Sequence, residues 1–486
     1  MKILLLSGAD SDKRTRYGDY SLVGPRLQPY NLMQLTALLE RDGHIVHLLD
    51  TEVEPQTLPE TFELVGRLHP DLLGVSVYTI NHAYITALLE GVRSRYPKLP
   101  VVLGGPHMTI YPAAFVERGL ADYGVAGEAD LVFPELVSAL ERGSSVHELA
   151  NVTTLREGKV VTNPTRPFID DLDALPFPAF HLLGKNLGKY WPQPMTYRRK
   201  PMTIVVTSRG CPYDCSFCPA AGIWAGRRWR AQSAEYVGNL MEWLSKDYGI
   251  REICFNENTF ALDRHRVEGI CNFILKKRLN ILWSGNVNAR HLHADLLALM
   301  HRAGCWLLSI GIETGDAGIM SSINKPLDLA QAEEKIKLVV SKGIKVRGYF
   351  IVGHQEETEA SVRKTIALAK RLPLYTANFS IFVPVPGSRD FTNIYGEVAE
   401  HAIGDLSNYA NLGCGSRYQP AHLSGQRVID LQRRAMFEFF LRPSQVGRLV
   451  RSIETFEDFR RFAYMGLAGT NIVGRSLLRK VRNPTA

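Results

Sequence analysis

Three cysteines stand within eight residues of this 486-residue chain, at Cys211, Cys215 and Cys218. The apolar segment 203–207 directly before them predicts a strand, so the C-x3-C-x2-C run falls on the loop at that strand's carboxyl end. Three thiolates on one short loop can converge on an iron–sulfur cubane and leave one iron without a protein ligand. Since an open iron can bind a substrate or a cofactor, the spacing predicts a reactive [4Fe–4S] cluster.

Zinc and simple burial are the alternative interpretations of the triplet. Structural zinc normally takes four ligands, and no fourth cysteine lies nearby. Cys254, Cys271 and Cys305 stand in apolar segments typical of a core. Cys414 lies in a glycine-rich turn, where a catalytic thiol is a further alternative. None of these four cysteines completes a zinc site by its spacing, which favours the cluster.

The loop from Cys211 to Cys218, with the aromatic Phe217 before its last cysteine, resembles the signature of radical S-adenosylmethionine (SAM) enzymes. In that family the open iron chelates the methionine moiety of SAM, and one electron from the cluster releases a 5′-deoxyadenosyl radical. The resemblance covers roughly residues 190–390. It implies SAM contacts from residues on the cluster loop and at later strand ends: Phe217, Glu257, Asn286, Glu313 and Ile351, with Asn256 and Arg290 beside them. The family's usual aspartate is absent from the second-strand motif, and helix caps or rim hydrogen bonds are the alternative roles for these strand-end residues.

The segments 101–109 and 122–128 resemble the cobalamin-binding domain that precedes the barrel in one branch of this family. The resemblance implies cobalamin contacts from glycines and polar residues after the third, fourth and fifth strands: Tyr78, Thr79, Asn81, Gly104, Gly105, His107, Thr109, Gly127 and Glu128. The signature Asp-x-His-x-x-Gly is absent, so cobalt is expected to lack a histidine ligand, with ligation by His107 as an alternative. A dinucleotide site is a competing interpretation, but no G-x-G-x-x-G follows Leu6.

The order of apolar segments predicts an α/β protein. Strands alternate with helices over residues 1–145, which predicts a doubly wound parallel sheet of Rossmann or flavodoxin type. A proline-rich linker with a small hairpin follows over 146–195. Six strand–helix units over 196–390 predict a partial (β/α)6 barrel, whose carboxyl strand ends would hold the active site. Residues 391–486 are expected to be mainly helical, and a helix is also predicted over 112–118.

Composition and charge narrow the class of protein. Hydrophobic residues make up 45% and charged residues 22% of the chain, which is typical of globular proteins. No apolar run reaches the roughly 20 residues that a membrane-spanning helix needs. Seven cysteines, three of them clustered, favour a cytoplasmic metal or redox protein over a secreted disulfide framework.

Most of the net charge of +8 lies near the end of the chain, where nine basic residues face three acidic ones from Arg442 onward. These alternate with aromatic residues: Phe456, Phe459, Phe462 and Tyr464. The pattern suggests a basic amphipathic surface for peripheral contact with anionic lipid. A solvated face over a small helical core is the alternative, and nucleic acid is not expected as a partner.

Radical methylation of an unactivated carbon in a biosynthetic intermediate is the leading hypothesis. One SAM would methylate cobalamin and a second would generate the radical on a small-molecule or lipid-like substrate, with electrons from a flavodoxin- or ferredoxin-type donor. Cyclisation or ring rearrangement of a lipid- or pigment-like substrate is the alternative. Methylthio transfer would require a second cluster in the first domain. It is disfavoured because residues 1–210 contain no cysteine. A non-catalytic cobalamin carrier would have no use for the cysteine loop.

Overall fold

The computed structural model describes residues 1–8, 24–54, 57–221, 227–397 and 418–463. The strands of the N-terminal domain are β1 (Lys2–Ser7), β2 (Ile45–Asp50), β3 (Leu72–Ser76), β4 (Val101–Gly104), β5 (Tyr123–Val125), β6 (Val152–Arg156) and β7 (Lys159–Thr162). Its helices are α1 (Tyr30–Arg41), α2 (Leu58–Leu68), α3 (His82–Arg95), α4 (Pro106–Ile110) and α5 (Val132–Glu141).

The N-terminal sheet has the strand order β2-β1-β3-β4-β5-β6-β7, and β1 to β5 are parallel. Both faces of β1 are buried: Leu4 and Leu6 pack into one hydrophobic cluster, and Ile3 and Leu5 into another. Helices therefore cover the sheet on both sides, as the run of consecutive apolar residues requires. The order of strands reverses between β1 and β3, where doubly wound sheets bind ligands beyond their carboxyl ends.

Two details of this domain differ from the expectations. The hairpin β6–β7, assigned to the linker, pairs antiparallel with β5 and extends the N-terminal sheet beyond residue 145. The helix predicted over 112–118 was wrong, because that stretch forms successive turns and the helix is α4 instead. Pro106 fixes the first helical position directly after Gly105, so the chain turns into a helix earlier than its apolar pattern suggested.

The second domain is a partial barrel. Its six strands are β8 (Met202–Val205), β11 (Glu252–Phe255), β12 (Leu282–Val287), β13 (Cys305–Glu313), β14 (Lys345–Val352) and β15 (Thr376–Ile381), all parallel in that order. A short ribbon, β9 (Ser208–Arg209) with β10 (Arg230–Ala231), follows β8. Between the strands lie α6 (Ala234–Asp247), α7 (Arg264–Lys277), α8 (Ala294–Arg302), α9 (Ala317–Ser322), α10 (Leu329–Ser341) and α11 (Glu359–Arg371). The six predicted strands and the parallel barrel are confirmed, while α9 was not predicted.

The C-terminal region adds α12 (Arg389–Tyr395), α13 (Gly425–Phe440) and α14 (Pro443–Arg451). The buried Gln445 donates to the carbonyl of Tyr375 at 2.7 Å, and Arg448 donates to the carbonyl of Leu374 at 2.6 Å. Both carbonyls precede β15, so α14 lies at the amino ends of the barrel strands, opposite the cysteine loop.

Several arginines of the predicted basic surface thus have internal partners. Arg448 binds the barrel, Arg442 donates to the carbonyl of Lys370, and the buried Arg461 pairs with Asp458. Cys414, Tyr464 and the basic residues after 463 lie outside the described residues. No helix in the described part of the chain is both long and apolar enough to cross a membrane.

Candidate functional site

A cleft of about 650 Å³ lies between the two domains. One wall is formed by the carboxyl ends of the N-terminal strands, and the other by the residues after β8 that lead into the cysteine loop. The lining includes predicted cobalamin and SAM contacts: Tyr78, Gly104, Gly105, Thr109, Gly127, Glu128, Asn256 and Glu257. The cleft therefore brings predicted contact residues from both domains to one cavity.

The glycine loops on the N-terminal wall are held in one arrangement. Gly105 has a φ of 100°, and a Cβ there would stand 2.8 Å from the carbonyl oxygen of Val77. The hydroxyl of Thr109 accepts from the N–H of Gly127 at 2.9 Å and donates to the carbonyl of Gly105 at 3.1 Å. These bonds join the loops after β4 and β5 into one wall. Because its glycines carry no side chains, a flat ligand can approach the backbone of this wall closely.

Three predicted cobalamin contacts do not line this cleft. His107 is fully buried, its ring packs against those of His82 and Tyr111, and its Nδ1 lies 3.2 Å from the hydroxyl of Thr79. Asn81 donates to the carbonyl of Gly8 at 3.1 Å. His107 and Thr79 thus pair inside the domain, and Asn81 fixes the loop after β3 to the end of β1.

Ion pairs fasten the cleft's two walls together. Asp130 receives two hydrogen bonds from Arg209, at 2.6 and 2.9 Å, and Glu128 pairs with Arg230. Burial acts to lower the pKa of Arg209, but the carboxylates of Asp130 and Glu128 raise it above its usual value. Because Arg209 stands two residues before Cys211, these pairs set the position of the cysteine loop relative to the N-terminal domain.

Glu257 supports the base of the cysteine loop. Its carboxylate accepts from the backbone N–H of Thr207 at 2.7 Å and from the hydroxyls of Thr207 and Ser208. The side chain of Asn286 donates to the carbonyl of Glu257 at 3.0 Å. Both residues were predicted as SAM contacts, and both have partners that hold the loop in place.

The rest of the loop is bound to the barrel mouth. The N–H of Ser216 donates to the carbonyl of Ile323 at 2.9 Å, and the side chain of Asn324 donates to the carbonyl of Asp214 at 2.8 Å. Phe217 lies with its ring centre 6.0 Å from that of His354. His354, which directly follows Gly353 after β14, is buried with no hydrogen-bond partner on either ring nitrogen, and burial lowers its pKa to about 3.

A buried ion pair stands beside the three thiols. Lys325 donates to Glu313 at 2.7 Å. Although burial opposes it, the Glu313 carboxylate and the thiolate of Cys215 raise the pKa of Lys325. Glu313 has a φ of 66° at a bulge between β13 and β14, and a Cβ on Gly311 would collide with its carboxylate. The glycine therefore leaves room for the pair.

Two family models match the chain: that of the Radical SAM superfamily over residues 205–369, and that of the B12 binding domain over residues 21–137. An uncharacterized methyltransferase of Pyrococcus horikoshii, PH0819, is 31% identical over 91% of this chain and 93% of its own length. The chain belongs to the radical SAM superfamily. Its B12-binding and radical SAM domains together imply three cofactors: cobalamin, a [4Fe–4S] cluster and SAM.

Two further comparisons extend over both domains of this radical SAM protein. The anaerobic magnesium-protoporphyrin IX monomethyl ester cyclase of Rubrivivax gelatinosus is 28% identical, over 77% of the chain and 67% of the cyclase. The structure of the cobalamin-dependent SAM radical enzyme OxsB, with aqua-cobalamin and SAM bound, superposes with a TM-score of 0.72 at 17% identity. It covers 97% of this chain and 72% of OxsB, which shows that the whole two-domain fold is shared.

The cysteine loop of this radical SAM protein fits a cluster. Burial raises the pKa of Cys211 and Cys218, and that of Cys215 to about 11, and the three thiols lie near enough to affect one another. No group of metal ligands assembled around a single ion occurs among the described residues.

The structure adds residues that no sequence motif marks. Gln28, Tyr30 and Asn31 precede or begin α1 and line the cleft. Their segment, unlike the cysteine loop, carries no motif of metal or nucleotide sites. Lys325 was missed for a similar reason, because it lies in a loop twelve residues beyond its partner Glu313.

Proposed function

We propose that this radical SAM protein transfers a methyl group to an unactivated carbon of a small-molecule substrate. The observation that carries the proposal is the shared cleft. The glycine loops of the B12-binding domain and the base of the cysteine loop are opposite walls of one cavity, so a substrate between them would meet both cofactors.

A different set of described residues would hold each implied cofactor. When bound, the cluster and SAM supply a hydrogen-abstracting radical, and cobalamin supplies a methyl group. Cys211, Cys215 and Cys218 would hold the cluster, and the wall around Gly105 and Gly127 would hold the corrin.

The surrounding residues would position SAM and limit water. Lys325 and Glu313, which pair with each other beside the thiols, would both contact SAM. Lys325 would bind the carboxylate of SAM, and Glu313 would bind its amino group. Phe217 and Ile351 provide apolar surface on the cluster loop and on β14. Buried ion pairs such as Arg230–Glu128 close the edge of the cleft between the domains, which protects a reactive intermediate from solvent.

Cyclisation is the second candidate, because a relative of this chain is named as a cyclase. Methylation is favoured by PH0819, which is named as a methyltransferase and matches the chain over nearly its full length. The two reactions differ in what becomes of SAM. Methyl transfer consumes one SAM for the methyl group and one for the radical, whereas cyclisation needs only the radical.

Deuterated SAM separates these candidates. The holoenzyme would be supplied with trideuteromethyl-SAM, a one-electron reductant such as reduced flavodoxin, and a metabolite extract. Methylation predicts S-adenosylhomocysteine and 5′-deoxyadenosine in equal amounts, with the trideuteromethyl group in a product. Formation of 5′-deoxyadenosine without S-adenosylhomocysteine would contradict methyl transfer and favour cyclisation.

Peripheral membrane contact stays a prediction. It is supported by Phe456 and Phe459, whose side chains are 79% and 56% exposed beside the exposed Arg460. Flotation with anionic vesicles is the test, and protein that stays at the bottom of the gradient would contradict it.

A further inference from the structure

The interior of the partial barrel is polar. Side chains alternate along each strand, and those facing the helices are apolar, such as Ile253, Phe350 and Phe379 in the main hydrophobic core. Most of the alternate positions, which face the barrel's interior, carry polar groups: Cys254, Ser284, Asn286, Ser309, Arg347, Tyr349, Asn378 and Ser380. Leu282, Leu307 and Ile351 are apolar positions on the same side. The positions nearer the mouth are only half-buried, so the interior opens toward the cysteine loop.

Arg347 is the cation among these inward side chains, and the buried Glu252, two residues before Cys254 on β11, shares their side. Arg347 is 9% exposed, its guanidinium lies 4.6 Å from the centre of the Tyr349 ring, and it donates one hydrogen bond to the side-chain oxygen of Gln193. Burial raises the pKa of Cys254 to about 11, the Glu252 carboxylate acts in the same direction, and Arg347 acts against both.

Arg347 differs from the other buried arginines in the described ranges. Arg230, Arg266 and Arg461 each have a carboxylate oxygen within 4.0 Å, from Glu128, Glu257 and Asp458 respectively. No ion pair links Arg347 to a described carboxylate; its contacts are a neutral amide and an aromatic ring. A buried charge without a carboxylate in direct contact is costly. Such a residue is therefore expected to bind an anion that is not part of the chain.

We propose that Arg347 binds an anionic group of the substrate, a carboxylate or a phosphate, inside the barrel. The planar guanidinium is suited to both groups because it can donate two parallel hydrogen bonds. Arg347 lies four residues before Ile351 along β14, or about 13 Å at the usual rise of a strand. A substrate anchored there would extend past Tyr349 and Asn378 and present its reacting carbon near the mouth.

This substrate class rests on the proposed function, and it disfavours a purely apolar lipid. The hydroxyl and amide groups above Arg347 can bind polar substituents, whereas a hydrocarbon chain would leave them without hydrogen bonds. A substrate with both an anionic end and polar substituents fits the interior.

Anion binding tests the proposal directly. Acetate and inorganic phosphate would be titrated calorimetrically into the cobalamin- and cluster-loaded protein with saturating SAM present, so that the carboxylate of SAM is already in place. We expect saturable binding of at least one anion, with affinity reduced at least tenfold in Arg347→Gln. Arg347→Lys should bind with intermediate affinity, because it keeps the charge but loses the bidentate geometry.

Arg199→Gln is the matched control, because Arg199 also donates to a side-chain amide, that of Asn280, but on an exposed surface. It should bind anions as the wild type does. Equal binding by Arg347→Gln and the wild type, or no binding of either anion by the wild type, would overturn the proposal. Arg347→Lys covers the case in which the glutamine variant does not fold. Iron and cobalamin contents are measured separately, so a fully loaded protein that binds no anion refutes only the anion site.

Discussion

The pair of Lys325 and Glu313 is a buried feature of the barrel mouth at the scale of single residues. Both side chains are largely buried and lie 2.7 Å apart. Lys325→Met should lower the free energy of unfolding by about 3 kcal/mol, because it leaves the Glu313 carboxylate buried without a partner. Denaturant unfolding measures this loss, and Lys325→Met combined with Glu313→Gln should recover most of it.

Lys337→Met is the control for this prediction. Lys337 pairs with Glu333 at 2.9 Å on the surface of α10, where such pairs contribute about 0–1 kcal/mol. If the two lysine variants were equally stable, the Lys325 pair would not be the buried interaction described above.

At the same scale, the sequence predicted which residues lie at the site better than what they do. Gly105 and Gly127 belong to a motif whose backbone has positive φ angles, which residues other than glycine rarely adopt. Both glycines line the cleft. His107 is buried and does not line the cleft, since a residue after a tight turn can point either into a cleft or into the core. Glu257 lines the cleft, but the hydroxyls that donate to its carboxylate belong to residues some fifty positions earlier in the chain, so no local pattern predicts these bonds.

At the scale of elements, the β9–β10 ribbon is the link between the domains. Asp130→Asn should lower the free energy of unfolding by about 2 kcal/mol, because it leaves the guanidinium of Arg209 without its bidentate partner. It should also reduce retained cobalamin, since the same pair positions the walls of the cleft. Denaturant unfolding and absorption of the desalted protein measure the two effects.

Asp170→Asn is the matched control, because Asp170 pairs with Arg228 near the same ribbon but at an exposed site. Its stability should stay within about 0.5 kcal/mol of the wild type. A charge reversal, Asp130→Arg with Arg209→Asp, should restore part of the loss. Cobalamin retained equally by Asp130→Asn and Asp170→Asn would contradict the role of the ribbon.

The start of β11 carries a buried carboxyl, Glu252, that gives the fold a pH dependence. It accepts from the N–H groups of Arg198 and Arg199 and from the indole of Trp306. Burial nevertheless raises its pKa to about 7. The folded state then binds more protons than the unfolded one between about pH 4.5 and 7, so stability falls as pH rises through this window.

Between pH 5 and pH 8 the wild type should lose about 2.5 kcal/mol of stability through Glu252, and Glu252→Gln should not show this loss. Denaturant unfolding at the two pH values measures the difference. Glu242→Gln should keep the wild-type slope, because bonds from Lys246 and Lys277 lower the pKa of Glu242 below this window. If stability fell with pH as steeply in Glu252→Gln as in the wild type, the wild-type Glu252 carboxyl would have to be ionised at both pH values.

At the scale of the whole molecule, the order of elements was predictable and their mutual placement was not. The two periods of strand–helix alternation determine a doubly wound sheet and a partial barrel, and both are confirmed. The cleft between them depends on ion pairs such as Arg209 with Asp130, 79 positions apart. No local sequence pattern predicts a contact between residues so far apart in the chain. The closure of the barrel's amino ends by α14 likewise depends on single bonds to backbone carbonyls.

The cofactor content of the anaerobically reconstituted protein tests the central claim most directly. Wild-type protein supplied with iron, sulfide and cobalamin should retain about four irons and one cobalamin per chain, measured by iron assay and absorption. Cys215→Ala should lose the iron and keep the cobalamin. Cys271→Ala, which removes a buried thiol of the core, should keep both. Iron retained in Cys215→Ala, or a cluster-loaded wild type that binds no cobalamin, would contradict the assignment of two cofactors to one cleft.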